Sequence, residues 1–153
     1  MRADRYEELP PETLAHWEGF PDWPGDVLFP KLVGLVREEI RRDYCRLRLP
    51  YRPELRQPAG VVHGGAIATL IDTVVVPAVA WPYDTVPKLL TVTMNIRFRG
   101  ALVEEDALAE GWIDTRGRTT VFCSAEVTGA ESGRVIADGT LVYKVPPVPL
   151  PSQ

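Results

Sequence analysis

Two rhythms of hydrophobic positions run through this 153-residue chain. Residues 64–80, "GGAIATLIDTVVVPAVA", are apolar almost throughout and too long for one strand, so they predict a buried helix of about 17 residues opening near Gly64. The β-branched run Thr73–Val76 and Pro77 act against a helix; a pair of buried strands is the alternative, which the length disfavours. Elsewhere the period is two. "LLTVTMNIRFRG" puts Val92, Met94, Ile96 and Phe98 on one face and Thr91, Thr93, Asn95, Arg97 and Arg99 on the other. "DALAEGWIDTRGRTTVFCSAEVTG" reads as two strands around a turn at Arg116–Gly117–Arg118, "GAESG" as a second turn, and "RVIADGTLVYKV" as the last strand.

Upstream, the pattern from residue 31 is mostly strand, with Cys45, Leu47 and Leu49 alternating with Tyr44, Arg46 and Arg48, a turn at 41–43 and a loop at 57–60. One apolar helix thus lies early among strands, and an antiparallel meander follows it. A helix apolar on all sides must be enclosed, and a curved antiparallel sheet wrapped around it does so: an α+β architecture.

Residues 1–30 differ from this body. They are rich in Pro, Trp and acid, with a short helix expected over 11–17, Pro11 in its first turn, and the remainder expected as loop. Trp17, Phe20 and Trp23 need a surface to cover, because exposed apolar clusters mark contact surfaces. Residues 146–153, "PPVPLPSQ", are expected to form a loose tail.

Composition narrows the classes. The length gives one domain with a real core, and 45% hydrophobic with 25% charged residues is the mix of a globular protein. A net charge of −4 without a basic run argues against nucleic-acid binding. The polar, acidic N-terminus does not resemble a signal peptide. The apolar stretch 64–80, carrying Asp72 and Pro77, reads as core and not as a membrane span. Two cysteines, Cys45 and Cys123, and two histidines, His16 and His63, are too few for a Cys/His zinc cluster. The thiols read as reduced core residues in a cytoplasmic setting.

The candidate chemistry sits in "VVHGGAIATLIDT". His63-Gly64-Gly65 at a helix start bring backbone N–H groups close to a ligand; those groups lack partners within the helix and carry the positive end of its dipole. They suit an anion or the oxyanion of an acyl-transfer intermediate, although Gly-Gly also serves simply to turn the chain. Asp72 is eight residues on, about 12 Å along the axis. One helix therefore does not place both groups on one reacting atom, whereas two antiparallel helices related by a two-fold axis do. The plainer role for Asp72 is a carboxylate satisfied within the core or an interface.

"HGGAIATLIDT" resembles the HGG-x-x-x-x-x-x-D motif of the hotdog-fold acyl-CoA thioesterases, in the branch of the phenylacetic-acid-degradation (PaaI-like) enzymes. The resemblance extends over roughly 31–145, through "LRLPYRPELRQPAGVVHGG", "LLTVTMNIRFRGAL" and "GRTTVFCSAEVTGAESGRVIADGTLVY". It implies a hotdog fold, a long central helix wrapped by a curved antiparallel sheet, and hydrolysis of an acyl-CoA thioester to free acid and coenzyme A. No further cofactor is implied, since coenzyme A is part of the substrate.

Residue by residue, the resemblance implies that the Gly64 amide polarises the thioester carbonyl and that Asp72 is general base or nucleophile. Thr91 orients the water or the carboxylate, and His63 supports the loop or the thioester region. Gln57 falls where many members carry Asn. Gly65 would accompany Gly64 at the substrate, and Arg116 and Arg118 are the candidates for the coenzyme A phosphates. The implied assembly is a homodimer, commonly a dimer of dimers, with Gly64 of one chain and Asp72 of the other in each site. Trp17, Phe20 and Trp23 would then cover a sheet face or a neighbouring subunit, or narrow the acyl pocket. The competing functions are a non-catalytic acyl-CoA or small-ligand binding module and a dehydratase acting on 3-hydroxyacyl thioesters.

Overall fold

In the computed structural model, residues 2–148 are described. Helix α1 covers Pro11–Ala15, α2 Phe29–Val33 and α3 Gly64–Ala80; the strands are β1 Val36–Arg41, β2 Tyr44–Leu49, β3 Leu90–Phe98, β4 Ala107–Arg116, β5 Thr120–Gly129 and β6 Val135–Lys144. The strands form one antiparallel sheet in the order β1-β2-β4-β5-β6-β3. With α3 against it, this is the expected α+β hotdog arrangement.

The helix spans 64–80 without a break, despite Pro77 and the β-branched run. Burial overrides propensity there: Leu70, Ile71, Val74, Val75, Ala78 and Val79 are fully enclosed. Two glycines let the helix and sheet approach. A Cβ on Gly111 of β4 would stand 2.8 Å from Val74 Cγ1 and 3.1 Å from the Val74 carbonyl carbon. One on Gly139 of β6 would stand 3.2 Å from Ile71 Cγ2. At the far end of the helix, Arg116 donates to the carbonyls of Ala78 and Val79, both at 2.8 Å, and pairs with Asp43 at 2.6 Å. The last-turn carbonyls that a helix leaves unpaired are thereby satisfied.

The strands after the helix are not one continuous meander, since β4, β5 and β6 follow one another in the sheet but β3 pairs with β6 at the edge and not with β4. Beyond this sheet order, the structure differs from the pattern reading in three places. Residues 31–33, expected as strand, belong to α2, which Pro30 opens and Gly34 closes with a left-handed φ of 91°. The expected boundary between residues 30 and 31 therefore falls inside a helix. The first helix stops at Ala15, two residues short of expectation.

The third difference is in β3. Its pairing with β6 slips between Thr91 and Thr93, so Thr91 lies opposite Tyr143 while Thr93 lies opposite Val142. This bulge at Val92 turns Thr91 onto the same face as Met94, Ile96 and Phe98 and breaks the strict alternation.

The N-terminal residues wrap the body. Arg2 lies 3.8 Å from the centre of the Trp112 ring and pairs with Glu126, and Tyr6 stacks on Tyr44, on the sheet face that points away from α3. Past the bridge of Glu8 to Arg41, the chain crosses to the helix side. Trp17 and Phe20 are then buried to 2% and 3% exposure, and Trp23 packs edge-on to Phe20. At the other end, the tail expected over 146–153 is described only to residue 148; residues 149–153 lie outside the described residues.

Candidate active site

The start of α3 is held by its own cap. His63 precedes the first helical residue, and its Nδ1 accepts from the Gly65 N–H at 2.8 Å, while its backbone N–H donates to the Leu55 carbonyl at 2.7 Å. The Gly65 amide is thus occupied, and Nδ1 must be unprotonated to accept it. The Gly64 N–H has no hydrogen-bond partner among the described residues. Gly64 lines a cleft of about 230 Å³ together with Gln57, Ile67 and Phe98 of β3. Gln57 folds its Oε1 back to accept from the Ala59 N–H at 2.7 Å, which leaves its NH₂ as the donor at that rim.

Asp72 lies two turns along, on another cleft. In the single chain it is partly exposed, not enclosed as its apolar neighbours suggest. Its Oδ1 accepts from the Thr91 hydroxyl at 3.0 Å and from the Tyr143 hydroxyl at 2.6 Å. The bulge at Val92 is what brings Thr91 to this oxygen. Burial, and next the neighbouring Asp72 charge, hold the Tyr143 phenol well above its ordinary pKa of 10.0, so it remains a donor. The second carboxylate oxygen, Oδ2, takes no partner among the described residues. A carboxylate with one oxygen fixed and the other free suits proton abstraction from water or direct attack.

The cleft at Asp72 holds about 410 Å³ and is lined by Ala68, Thr69, Thr73 and Val76 of α3, Met94 of β3, and Phe20, Trp23, Phe29 and Pro30 from the N-terminal segment. Tyr143 and these aromatic residues extend the set of site residues read from the sequence. Period two along "IADGTLVYK" does place Tyr143 on the inward face with Leu141, but its meeting with Asp72 depends on how β6 is set against α3.

One chain therefore holds these residues in two separate places: Gly64 with Gln57 on one cleft, and Asp72, bonded to Thr91 and Tyr143, on the other. It does not bring them together. Arg116 is committed to the C-terminal end of α3, away from Gly64, whereas Arg118 is exposed on the turn beyond it. Lys88 and Lys144 line a separate cleft with Thr119, next to Arg118 in the chain.

Both cysteines are free and buried, and burial pushes the Cys123 thiol up to about 12, a packed group and not a nucleophile. Among the described residues no three His, Cys, Asp or Glu converge as a metal-binding set, and no helix is long and apolar enough to cross a membrane.

The chain is similar in sequence and in fold to known proteins. The chain is 32% identical to human acyl-coenzyme A thioesterase 13 over 108 residues, 70% of this chain and 75% of that one, and equally so to the mouse protein. Zebra fish thioesterase superfamily member 2 superposes with a TM-score of 0.69 at 23% identity, covering 87% of this chain and 92% of that one. The Escherichia coli PaaI protein of the phenylacetic acid degradation operon superposes with a TM-score of 0.75 at 13% identity, covering 87% and 94%. These two structures share the fold. Residues 59–136, from just before the helix start through β3, β4 and β5 to the beginning of β6, match the thioesterase superfamily, and the chain belongs to that superfamily.

Proposed function

We propose that this protein hydrolyses acyl-CoA thioesters in composite sites formed between two copies of the chain. One observation carries the reading: both clefts open onto β3, through Met94 at Asp72 and Phe98 at Gly64, and β3 is a sheet edge with no strand on its outer side among the described residues. Its side chains are exposed and largely apolar, with Val92 at 59% and Phe98 at 57%. Bare edges of this kind are templates for pairing. Antiparallel pairing of β3 with a second β3 about a two-fold axis sets the Thr91 end of one strand beside the Phe98 end of the other. Asp72 of one protomer then faces Gly64 of its partner, and the half-exposed carboxylate becomes enclosed. Two such dimers would form the tetramer that the resemblance implies.

In this site the thioester carbonyl oxygen accepts from the unpaired Gly64 N–H at the positive end of α3, with the Gln57 NH₂ beside it. Thr91 and Tyr143 hold Oδ1 of Asp72, and Oδ2 takes a proton from water as the water attacks the carbonyl carbon. Direct attack by Oδ2, giving an anhydride that water opens, uses the same geometry. Collapse of the tetrahedral intermediate expels the coenzyme A thiolate. His63 acts through the loop, by capping the helix and fixing the amide's direction. Arg118 is the proposed phosphate partner, with Lys88 and Lys144 near it; Arg116 is reserved for the helix end.

Within the superfamily, the 32% identity favours an acyl-CoA thioesterase of the kind named above, and the PaaI-like branch rests on likeness of fold.

Mixed dimers test the arrangement. Asp72→Asn removes the base, and Gly64→Pro removes the amide at a helix position that accepts proline. Each variant alone should lose activity 10²-fold or more. Co-assembled in equal amounts they should recover about a quarter of the wild-type rate, since half the dimers are mixed and each mixed dimer has one intact site. No recovery in demonstrably mixed dimers sinks the composite site. A wild-type rate for Asp72→Asn removes the catalytic assignment, and binding of acyl-CoA without thiol release by the wild-type protein supports the non-catalytic alternative.

A further inference from the structure

We infer that the N-terminal segment 17–33 is the outer wall of the acyl pocket and sets the length of acyl chain the enzyme accepts; this rests on Asp72 being the reacting carboxylate. The segment runs along α3 in the opposite direction to the helix. Trp17 borders the residues just past the helix end, Tyr83 and Val86; Phe20 and Trp23 border Asp72, Thr73 and Val76; Phe29 and Val33 border Gly65, Ala66 and Thr69 near the helix start. The sheet covers α3 from one side only, and this segment covers it from the other.

The segment is fixed at several points yet stands off the helix. The Arg37 guanidinium donates to the Trp17 carbonyl, Lys31 pairs with Asp22 at 2.7 Å, and Arg52 donates to the Leu32 carbonyl at 2.7 Å. Two edge-to-face contacts, Trp17 with Phe20 and Phe20 with Trp23, stiffen the middle. Between them and α3 remains the cleft of about 410 Å³, within the range of small-ligand pockets. Its lining is apolar except for Asp72, Thr69 and Thr73. Thr69 and Thr73 donate to the carbonyls of Gly65 and Thr69 in the preceding turn, so their hydroxyl protons are already spent. A polar ligand would find little to bond there. An apolar acyl group, extending from a thioester held at Asp72 toward Trp23, matches this lining.

The substrates for the test are straight-chain acyl-CoA esters from acetyl to hexadecanoyl, and the probes for binding are the matching non-hydrolysable S-alkyl-CoA thioethers. For the wild type, kcat/KM should rise about fourfold per added methylene until the chain meets the wall, and then level or fall. In Trp23→Ala the break should move to chains at least two carbons longer. In Phe29→Ala, whose side chain is 61% exposed and whose loss leaves the core intact, it should move in the same direction. Trp23→Phe, which keeps the segment packed, should give a smaller shift. Thioether affinities should follow the same order, independently of turnover. Profiles and affinities of all three variants that superpose on wild type would overturn the wall, while the mixed-dimer result could still stand. Conversely, a shifted thioether profile beside a fully active Asp72→Asn would keep the pocket and remove the catalytic assignment on which its acyl occupant rests.

Discussion

At residue scale, the proposed chemistry turns on which oxygen of Asp72 is held and which is left open. Thr91 and Tyr143 converge on Oδ1, one from each of two neighbouring strands. Removing the Tyr143 hydroxyl as Tyr143→Phe should lower kcat by about 10- to 100-fold, the range for a hydrogen bond to a charged group. Because the phenol positions the carboxylate and does not bind the acyl chain, KM should change little and the melting temperature should fall only slightly. Thr91→Ala should act in the same direction and more weakly, since its bond is the longer one at 3.0 Å. A loss confined to KM in steady-state assays would assign both residues to binding instead. Asp72 was legible from the sequence as a motif residue, and the resemblance implied that Thr91 orients the water or the carboxylate; the backbone route by which Thr91 reaches Asp72 was not legible. Strict alternation places Thr91 opposite Met94, and only the bulge at Val92 rotates it inward.

At the scale of elements, α3 is set by two devices. Gly111 and Gly139 let it sink onto the sheet, and Arg116 closes its end. Gly111→Ala would push a methyl group into Val74 Cγ1 and the backbone behind it, and should destabilise the fold by about 1–3 kcal/mol in denaturant titrations. Arg116→Ala strips two helix carbonyls of their donor and leaves Asp43 without its partner, a cost of about 1–3 kcal/mol. Its KM for acyl-CoA should remain that of wild type; a rise in KM without loss of stability would return Arg116 to the phosphate site. Here the sequence misleads for a plain reason. A basic turn between two strands looks solvated, and nothing local tells that the end of a helix more than thirty residues upstream lies beneath it.

For the whole molecule, four tyrosines link stability to alkaline pH. Burial raises the phenols of Tyr6, Tyr44, Tyr83 and Tyr143 above the unfolded value of 10.0; at Tyr44 the hydrogen bond to Glu110 adds to it. A raised folded pKa means that the folded state keeps its proton where the unfolded chain has released it. Their contribution is therefore whole below pH 10, and is lost progressively above it. Thermal melts should hold a plateau from neutral pH up to pH 10 and fall steadily beyond. Phenolate absorbance for Tyr44 and Tyr143 should appear only with unfolding; their titration in the folded protein at pH 10 would contradict the burial that the fold assigns them.

The sequence by itself determined the helix, the succession of strands along the chain, turns within a residue of 116–118 and 129–133, and the pair Gly64 and Asp72 with the spacing that keeps them apart in one chain. Those features rest on local periodicity and on the fixed rise of a helix, which any stretch of chain carries within itself. The tertiary structure decided the rest: the bulge that delivers Thr91, the meeting of Tyr143 with Asp72, the commitment of Arg116 to the helix end, and the path of the N-terminal aromatics along α3 in place of a sheet face. Each depends on strand register or on contacts between distant segments. These are fixed when apolar surfaces close on one another and buried polar groups find partners, and no window of the sequence contains both sides of such a contact.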